Sequence, residues 1–115
     1  MRHLIWCALR PDSGEARAAL RLEHLRYMQA HAPNIVAGGP MLDDDGAPTA
    51  MVIMTSFATR AEAQAFVDAE PYAASGRVFQ TTEVHPWSQV LPEPAPGALE
   101  HAIAAELARG PAASA

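Results

Sequence analysis

Apolar positions along the chain fall into two patterns: short unbroken runs, and stretches where they recur every three or four residues. The first run, Leu4-Ile5-Trp6-Cys7-Ala8-Leu9, is stopped by the turn cluster Arg10-Pro11-Asp12-Ser13-Gly14, which predicts a strand over 3–9. Residues 14–31 are dense in Ala, Leu, Arg and Glu, side chains that lose little on entering a helix. Asp12 or Ser13 stands where a cap is needed, and Pro33 ends the segment. A second strand over 34–42 runs through the bend Gly38-Gly39-Pro40. The Asp-Gly turn within 43–48 joins it to a third strand over 49–57 as a hairpin.

Thr59 stands three residues before Glu62, the capping-box spacing, and Ala63, Phe66 and Val67 then recur on one face of a second helix. Pro71 stops that helix. Residues 76–87 alternate polar with β-branched and aromatic side chains and form the fourth strand. The proline-rich stretch 91–97 is a stiff linker. It leads to a tail helix over 98–110 with Leu99, Ile103 and Leu107 on one face, and the last five residues read as a disordered end.

The order β-α-β-β-α-β is the ferredoxin-like pattern, an α+β fold with two helices on one face of a four-stranded antiparallel sheet. The other face should be polar in a lone chain. Instead both alternating sets of the first strand are apolar: Leu4, Trp6 and Ala8 on one side, Ile5, Cys7 and Leu9 on the other. The third strand repeats this with Met51 and Ile53 against Val52 and Met54. A sheet that is apolar on both faces must be covered on both. The expected cover is a second copy of the chain, giving a homodimer of the dimeric α+β barrel kind, or a higher oligomer built from it. The alternative is that the tail helix folds over the sheet. The chain divides into a ferredoxin-like domain over 1–91 and a linker with helical tail over 92–115.

With 115 residues, half of them hydrophobic, the chain can bury a core as one domain without metal or disulfide. Its one cysteine, Cys7, lies within a strand run and fits a reduced, buried thiol in a cytoplasmic protein. No segment approaches the ~20 apolar residues of a membrane span, and the apolar start is too short for a secretory signal. The net charge of −5 disfavours nucleic acid as a partner. All eight basic residues are arginines, which excludes lysine Schiff-base chemistry and a lysine phosphate loop.

On the first helix Leu20, His24, Tyr27 and His31 share one ridge. Spacing alone leaves His24 open between a structural histidine and a proton-transfer group. Shared metal binding by His24 and His31 fails, because two helical turns separate them by roughly 10 Å. His3 and His85 come together only if the first and last strands pair antiparallel. His101 reads as solvated. Asp43-Asp44-Asp45 reads as a solvated hairpin tip, since no EF-hand spacing follows. No metal and no cofactor is expected.

Several motifs together carry a resemblance. Arg21-x-x-His24-Leu25-x-Tyr27 is followed by Ala37-Gly38-Gly39-Pro40-Met41-Leu42, then Glu70-Pro71-Tyr72, Gly76-x-Val78-Phe79 and Val84-x-Pro86-Trp87. In this order, from about residue 2 to 88, they resemble the YCII-related (YciI-like) family. The resemblance implies a ferredoxin-like homodimer in which a first-helix histidine approaches an aspartate in a cavity. It also implies kinship with an enzyme that removes chloride from a chlorinated hydroxyhydroquinone without a cofactor. The histidine falls on His24. The aspartate of the family's Asp-Pro-Phe/Tyr motif is here Glu70, whose extra methylene shifts the carboxylate and can alter a reaction tuned to Asp.

A carboxylate beside imidazole fixes its tautomer, so His24 oriented by Glu70 could take a proton from an acidic C–H or O–H. Tyr27, Tyr72 and Trp87 are the expected apolar wall for a planar substrate, and Arg21 the expected holder of an acidic group. The function expected is proton transfer on a small aromatic or lactone compound, by elimination or isomerisation. Non-catalytic binding of a small molecule in the same cavity, and docking of the tail helix on a neighbour, stand as alternatives.

Overall fold

A computed structural model describes residues 2–110. The elements are β1 (Arg2–Leu9), α1 (Gly14–Ala30), β2 (Ile35–Leu42), β3 (Pro48–Thr55), α2 (Arg60–Ala69), α3 (Pro71–Ser75), β4 (Phe79–Trp87) and α4 (Ala98–Arg109). The strands form one sheet in the order β2-β3-β1-β4, and every neighbouring pair is antiparallel. This is the ferredoxin-like α+β arrangement. The expected disordered end, 111–115, lies outside the described residues.

Strand alternation sets what each face of the sheet presents. In β1, His3, Ile5 and Cys7 are buried, while Leu4, Trp6 and Ala8 are only half-buried. Ile5 pairs with Ile53 of β3 and Val84 of β4, so a β-branched row crosses three strands beneath the helices. Onto this row α2 lays Ala63, Phe66 and Val67. Thr59 caps α2 by accepting the Glu62 N–H at 3.2 Å.

The ends of α1 and α2 depart from the sequence reading. Ser13 is the N-cap residue of α1, but its hydroxyl accepts from Arg17 Nε at 3.2 Å and caps no backbone N–H. The helix closes at Ala30, and Pro33 sits in a 3₁₀ turn over Ala32–Asn34. Pro71 does stop α2, yet it also opens α3, where its fixed φ suits the first helical position. Gly76 ends α3 in the left-handed region at φ 68°.

The opposite face of the sheet is an apolar ledge. Leu4 stands across from Met54, and Trp6 across from Val52, all four half-buried. The Trp6 indole N–H points at Met41 Sδ, 3.3 Å away. The tail helix does not cover this ledge, since no residue of α4 is buried and Ile103 and Leu107 are 53% and 77% exposed. His3 and His85 do not meet either: β1 and β4 pair antiparallel, but His3 faces Pro86 and His85 faces Leu4, on opposite sides of the sheet. Among the described residues no helix is long and apolar enough to cross a membrane.

Candidate active site

The site forms where α1 crosses the strands near the end of β1, with α3 closing one side. Arg17, Arg21, His24, Leu25 and Met28 project from one flank of α1 into a cavity of about 350 Å³. Ile53 and Met51 form its floor. The facing wall is β2, where Gly38 and Gly39 contribute only backbone. A Cβ at Gly38 would sit 3.6 Å from the Val52 carbonyl and 3.7 Å from Ile53, ordinary contact, so the missing side chain is what leaves the space open.

Glu70 is the hinge residue of the site. It ends α2 in an extended conformation and acts as N-cap of α3, its Oε2 accepting the N–H groups of Tyr72 at 3.1 Å and Ala73 at 3.3 Å. Capping by glutamate is uncommon, because Asp, Asn, Ser and Thr reach the same donors with a shorter chain. Here the extra methylene leaves Oε1 free to extend to His24, whose Nδ1 lies 2.5 Å away. Glu70 is fully buried, and its carboxylate accepts two backbone N–H groups and meets one ring nitrogen.

Tyr72 supplies the second constraint on His24. The two rings stack with centroids 4.1 Å apart and planes 7° from parallel. The Tyr72 hydroxyl donates to the Arg17 carbonyl at 3.3 Å. Burial pushes that hydroxyl above its usual range, with Arg21 and Arg17 pulling the other way and Glu70 adding to the rise. Tyr72 is therefore a neutral phenol at physiological pH. One short segment, Glu70-Pro71-Tyr72, thus fixes both the position and the plane of the imidazole. With Nδ1–H assigned to the Glu70 bond, the lone pair of His24 lies on Nε2.

Of the six residues expected at the site, four come together: His24, Glu70, Tyr72 and Arg21. Tyr27 and Trp87 do not. The Tyr27 hydroxyl donates to the Phe66 carbonyl at 2.6 Å and its ring packs on His31 and Phe66, so it ties α1 to α2. Trp87 stands at the far end of β4 beside Arg2, Gln89 and Pro94, in a more open hollow of about 650 Å³. That hollow is larger, but among the described residues no His, Asp or Glu lines it, whereas His24 lines the smaller cavity. Arg17 and Gly38 were not singled out as site residues. The ridge spacing carried a signal for Arg17, which lies four positions before Arg21.

Cys7 is not a nucleophile in this fold: burial, with a smaller contribution from Glu70 against a Thr82 hydrogen bond, pushes its thiol up to about 12. Among the described residues no group of three or more His, Cys, Asp or Glu side chains is placed to hold a metal ion.

A ferredoxin-like sheet with helices on one face, an apolar opposite face and a histidine–carboxylate pair over a small cavity places the protein with the α+β barrel proteins. More narrowly, the chain belongs to the YCII-related family, whose domain matches residues 1–88. It is similar to Protein YciI of Escherichia coli O6:H1, with 32% identity over 99 residues, covering 79% of this chain and 100% of that protein. Among solved structures it is similar to 5-chloro-2-hydroxyhydroquinone dehydrochlorinase (TftG) from Burkholderia phenoliruptrix AC1100, determined in complex with 2,5-dihydroxybenzoquinone. That match has a TM-score of 0.70 and 29% identity, covering 77% of this chain and 95% of that one. Protein Atu4242 from Agrobacterium tumefaciens shares the fold, with a TM-score of 0.51 and 17% identity over 81% of this chain and 96% of its own.

Proposed function

We propose that the protein is a cofactor-independent enzyme in which His24 is the general base and Glu70 its positioning residue. The observation that supports this reading is the contact between His24 Nδ1 and Glu70 Oε1 at 2.5 Å; with the proton on Nδ1, Nε2 is left as the basic atom. The imidazole takes a proton from an acidic O–H or C–H of a one-ring compound. The electron pair released moves into the ring. It either expels a leaving group, an elimination, or is reprotonated at another carbon, an isomerisation. Glu70 stabilises the imidazolium formed in the first step without itself taking the proton. The similarity to a dehydrochlorinase that acts on a chlorinated hydroxyhydroquinone supports a small oxygenated ring as the substrate class.

The test is a pH–rate profile on 5-chloro-2-hydroxyhydroquinone and related chlorinated hydroquinones, for the unaltered chain and His24→Gln. Removal of a positioned base is expected to cost roughly 10²–10⁴-fold in rate. Turnover that is unchanged in His24→Gln rejects the reading. The second reading is binding without turnover, favoured by Glu70 standing where the family motif has aspartate; it predicts retained binding and no His24-dependent rate.

We further infer that two copies of the 1–91 body meet through the apolar sheet face, since the described residues leave Leu4, Trp6, Val52 and Met54 only half-buried. A buried, unpaired Cys7 is in keeping with a reducing cytoplasmic setting. The tail over 92–115 is an appendage to that body.

A further inference from the structure

The cavity carries two positive charges besides the imidazole of His24. Arg17 and Arg21 stand one turn apart on α1 and His24 follows three residues later, so all three reach the same space. Among the described residues no Asp or Glu lines the cavity. Among the described residues no carboxylate lies within ion-pair distance of either guanidinium. Arg17 Nε is held by Ser13 Oγ at 3.2 Å, which fixes the stem of a side chain that lines the cavity. The nearest acid of the site, Glu70, has both oxygens occupied by the three N–H groups already described. A chain with a net charge of −5 therefore sets two guanidiniums at one small cavity against the single buried carboxylate of Glu70, an excess of positive charge. Charge of one sign on concave, apolar walls focuses the field and draws in the opposite charge.

We propose that the cavity takes its substrate as an anion: a single planar ring bearing a carboxylate or an ionised hydroxyl, held by Arg17 and Arg21 while His24 Nε2 faces the ring. This names the substrate class of the site and rests on the reading of His24 as its base. A cavity of about 350 Å³ is at the small end for ligand sites and holds one substituted ring. The guanidiniums precede the imidazole by ~4.5 and ~10 Å of helix rise, the span of such a ring and its substituent. Guanidinium presents paired N–H donors that match the two oxygens of a carboxylate. When the proton passes to Nε2, a further negative charge develops on the ring, and the same two cations stabilise it. Arg21 is exposed at the mouth and Arg17 half-buried, so solvent screening holds the preference to a moderate factor.

Equilibrium binding of 2,5-dihydroxybenzoate and 2,5-dihydroxybenzamide to the full chain tests this, because the two share a ring and hydroxyls and differ in charge. The acid is expected to bind about tenfold tighter than the amide, with the gap narrowing as salt is raised. Replacing both Arg17→Gln and Arg21→Gln abolishes the preference, and Arg21→Lys retains part of it. His24→Gln keeps the preference, so loss of turnover in that variant leaves this inference standing. Equal affinity for acid and amide in the unaltered protein overturns it, as does a preference that survives both arginine substitutions, or binding of neither probe at millimolar concentration. None of these outcomes depends on whether His24 proves to be a base.

Discussion

The imidazole of His24 lies flat against the ring of Tyr72, with centroids 4.1 Å apart, while its Nδ1 reaches Glu70 at 2.5 Å. Both restraints come from residues two apart at one helix start, so a single local turn positions the proposed base. The first turn of α3 supplies two backbone N–H donors, and the carboxylate that accepts them is also the one that orients the histidine. Capping and positioning are thus one structural event, which makes the effects of changing Glu70 separable by choice of substitution.

Glu70→Ala removes the acceptor of three N–H donors at a fully buried position. An uncompensated loss of this kind costs about 3 kcal/mol, or roughly 10 °C in melting temperature for a chain of this size. Glu70→Asp keeps a good cap but shortens the reach to His24. It is expected to hold stability within about 1 kcal/mol while lowering turnover by roughly 10–100-fold. Thermal melts and steady-state rates on the two variants check both parts.

Tyr72→Phe keeps the stack on His24 and loses the hydroxyl, whereas Tyr72→Leu loses the stack. The stack contributes about 0.5–1.5 kcal/mol and holds the ring plane. Turnover is therefore expected to fall more in Tyr72→Leu than in Tyr72→Phe, measured as kcat at saturating substrate.

Gly38→Val fills the cavity from the β2 side without straining the strand, since its Cβ meets Val52 and Ile53 at ordinary contact distance. The melting temperature should hold or rise. Affinity for 2,5-dihydroxybenzoate should fall by more than about tenfold, because the space for one ring is lost.

The Cys7 thiol, pushed up to about 12 in the fold from 9.0 when exposed, makes stability fall with rising pH. The unfolded chain loses this proton first, so above about pH 9 ionisation draws the equilibrium toward unfolding. At pH 10 the loss is about 1 kcal/mol. Cys7→Ala is expected to remove that part of the pH dependence, read from urea midpoints at pH 8 and pH 10. Burial raises the Tyr27 and Tyr72 hydroxyls too, and they act in the same direction at higher pH in both proteins.

Trp6→Glu places a charge on the apolar sheet face opposite Val52. Light scattering is expected to give twice the chain mass of 12.2 kDa for the unaltered protein and the single mass for the variant. A monomeric unaltered protein would contradict pairing through this face.

The strands were legible because β1 and β3 read as unbroken apolar runs, and α2 because Thr59 and Glu62 mark its start. Helix α3 was not: five residues give no periodicity, and Pro71 reads as a stop although it is equally a good first helical residue. Tyr27 shares a ridge with His24, but ridge spacing does not say which neighbour each side chain meets. Position 27 meets the Phe66 carbonyl of α2, and position 24 meets Glu70. Trp87 is far from the site because the cavity opens near the end of β1, whereas Trp87 pairs with Arg2 at its start. Arg17 lies four positions before Arg21 on the helix, but only the tertiary packing brings it over the cavity.

The claim on which the rest depends is that Glu70 holds the proton of His24 on Nδ1 and leaves Nε2 as the base. Long-range ¹H–¹⁵N correlation on uniformly labelled protein at neutral pH reads the tautomer of each histidine directly, with Glu70→Gln as the comparison. The expected result is a His24 protonated at Nδ1, a preference that weakens in Glu70→Gln. A His24 protonated at Nε2 in the unaltered protein would contradict the account.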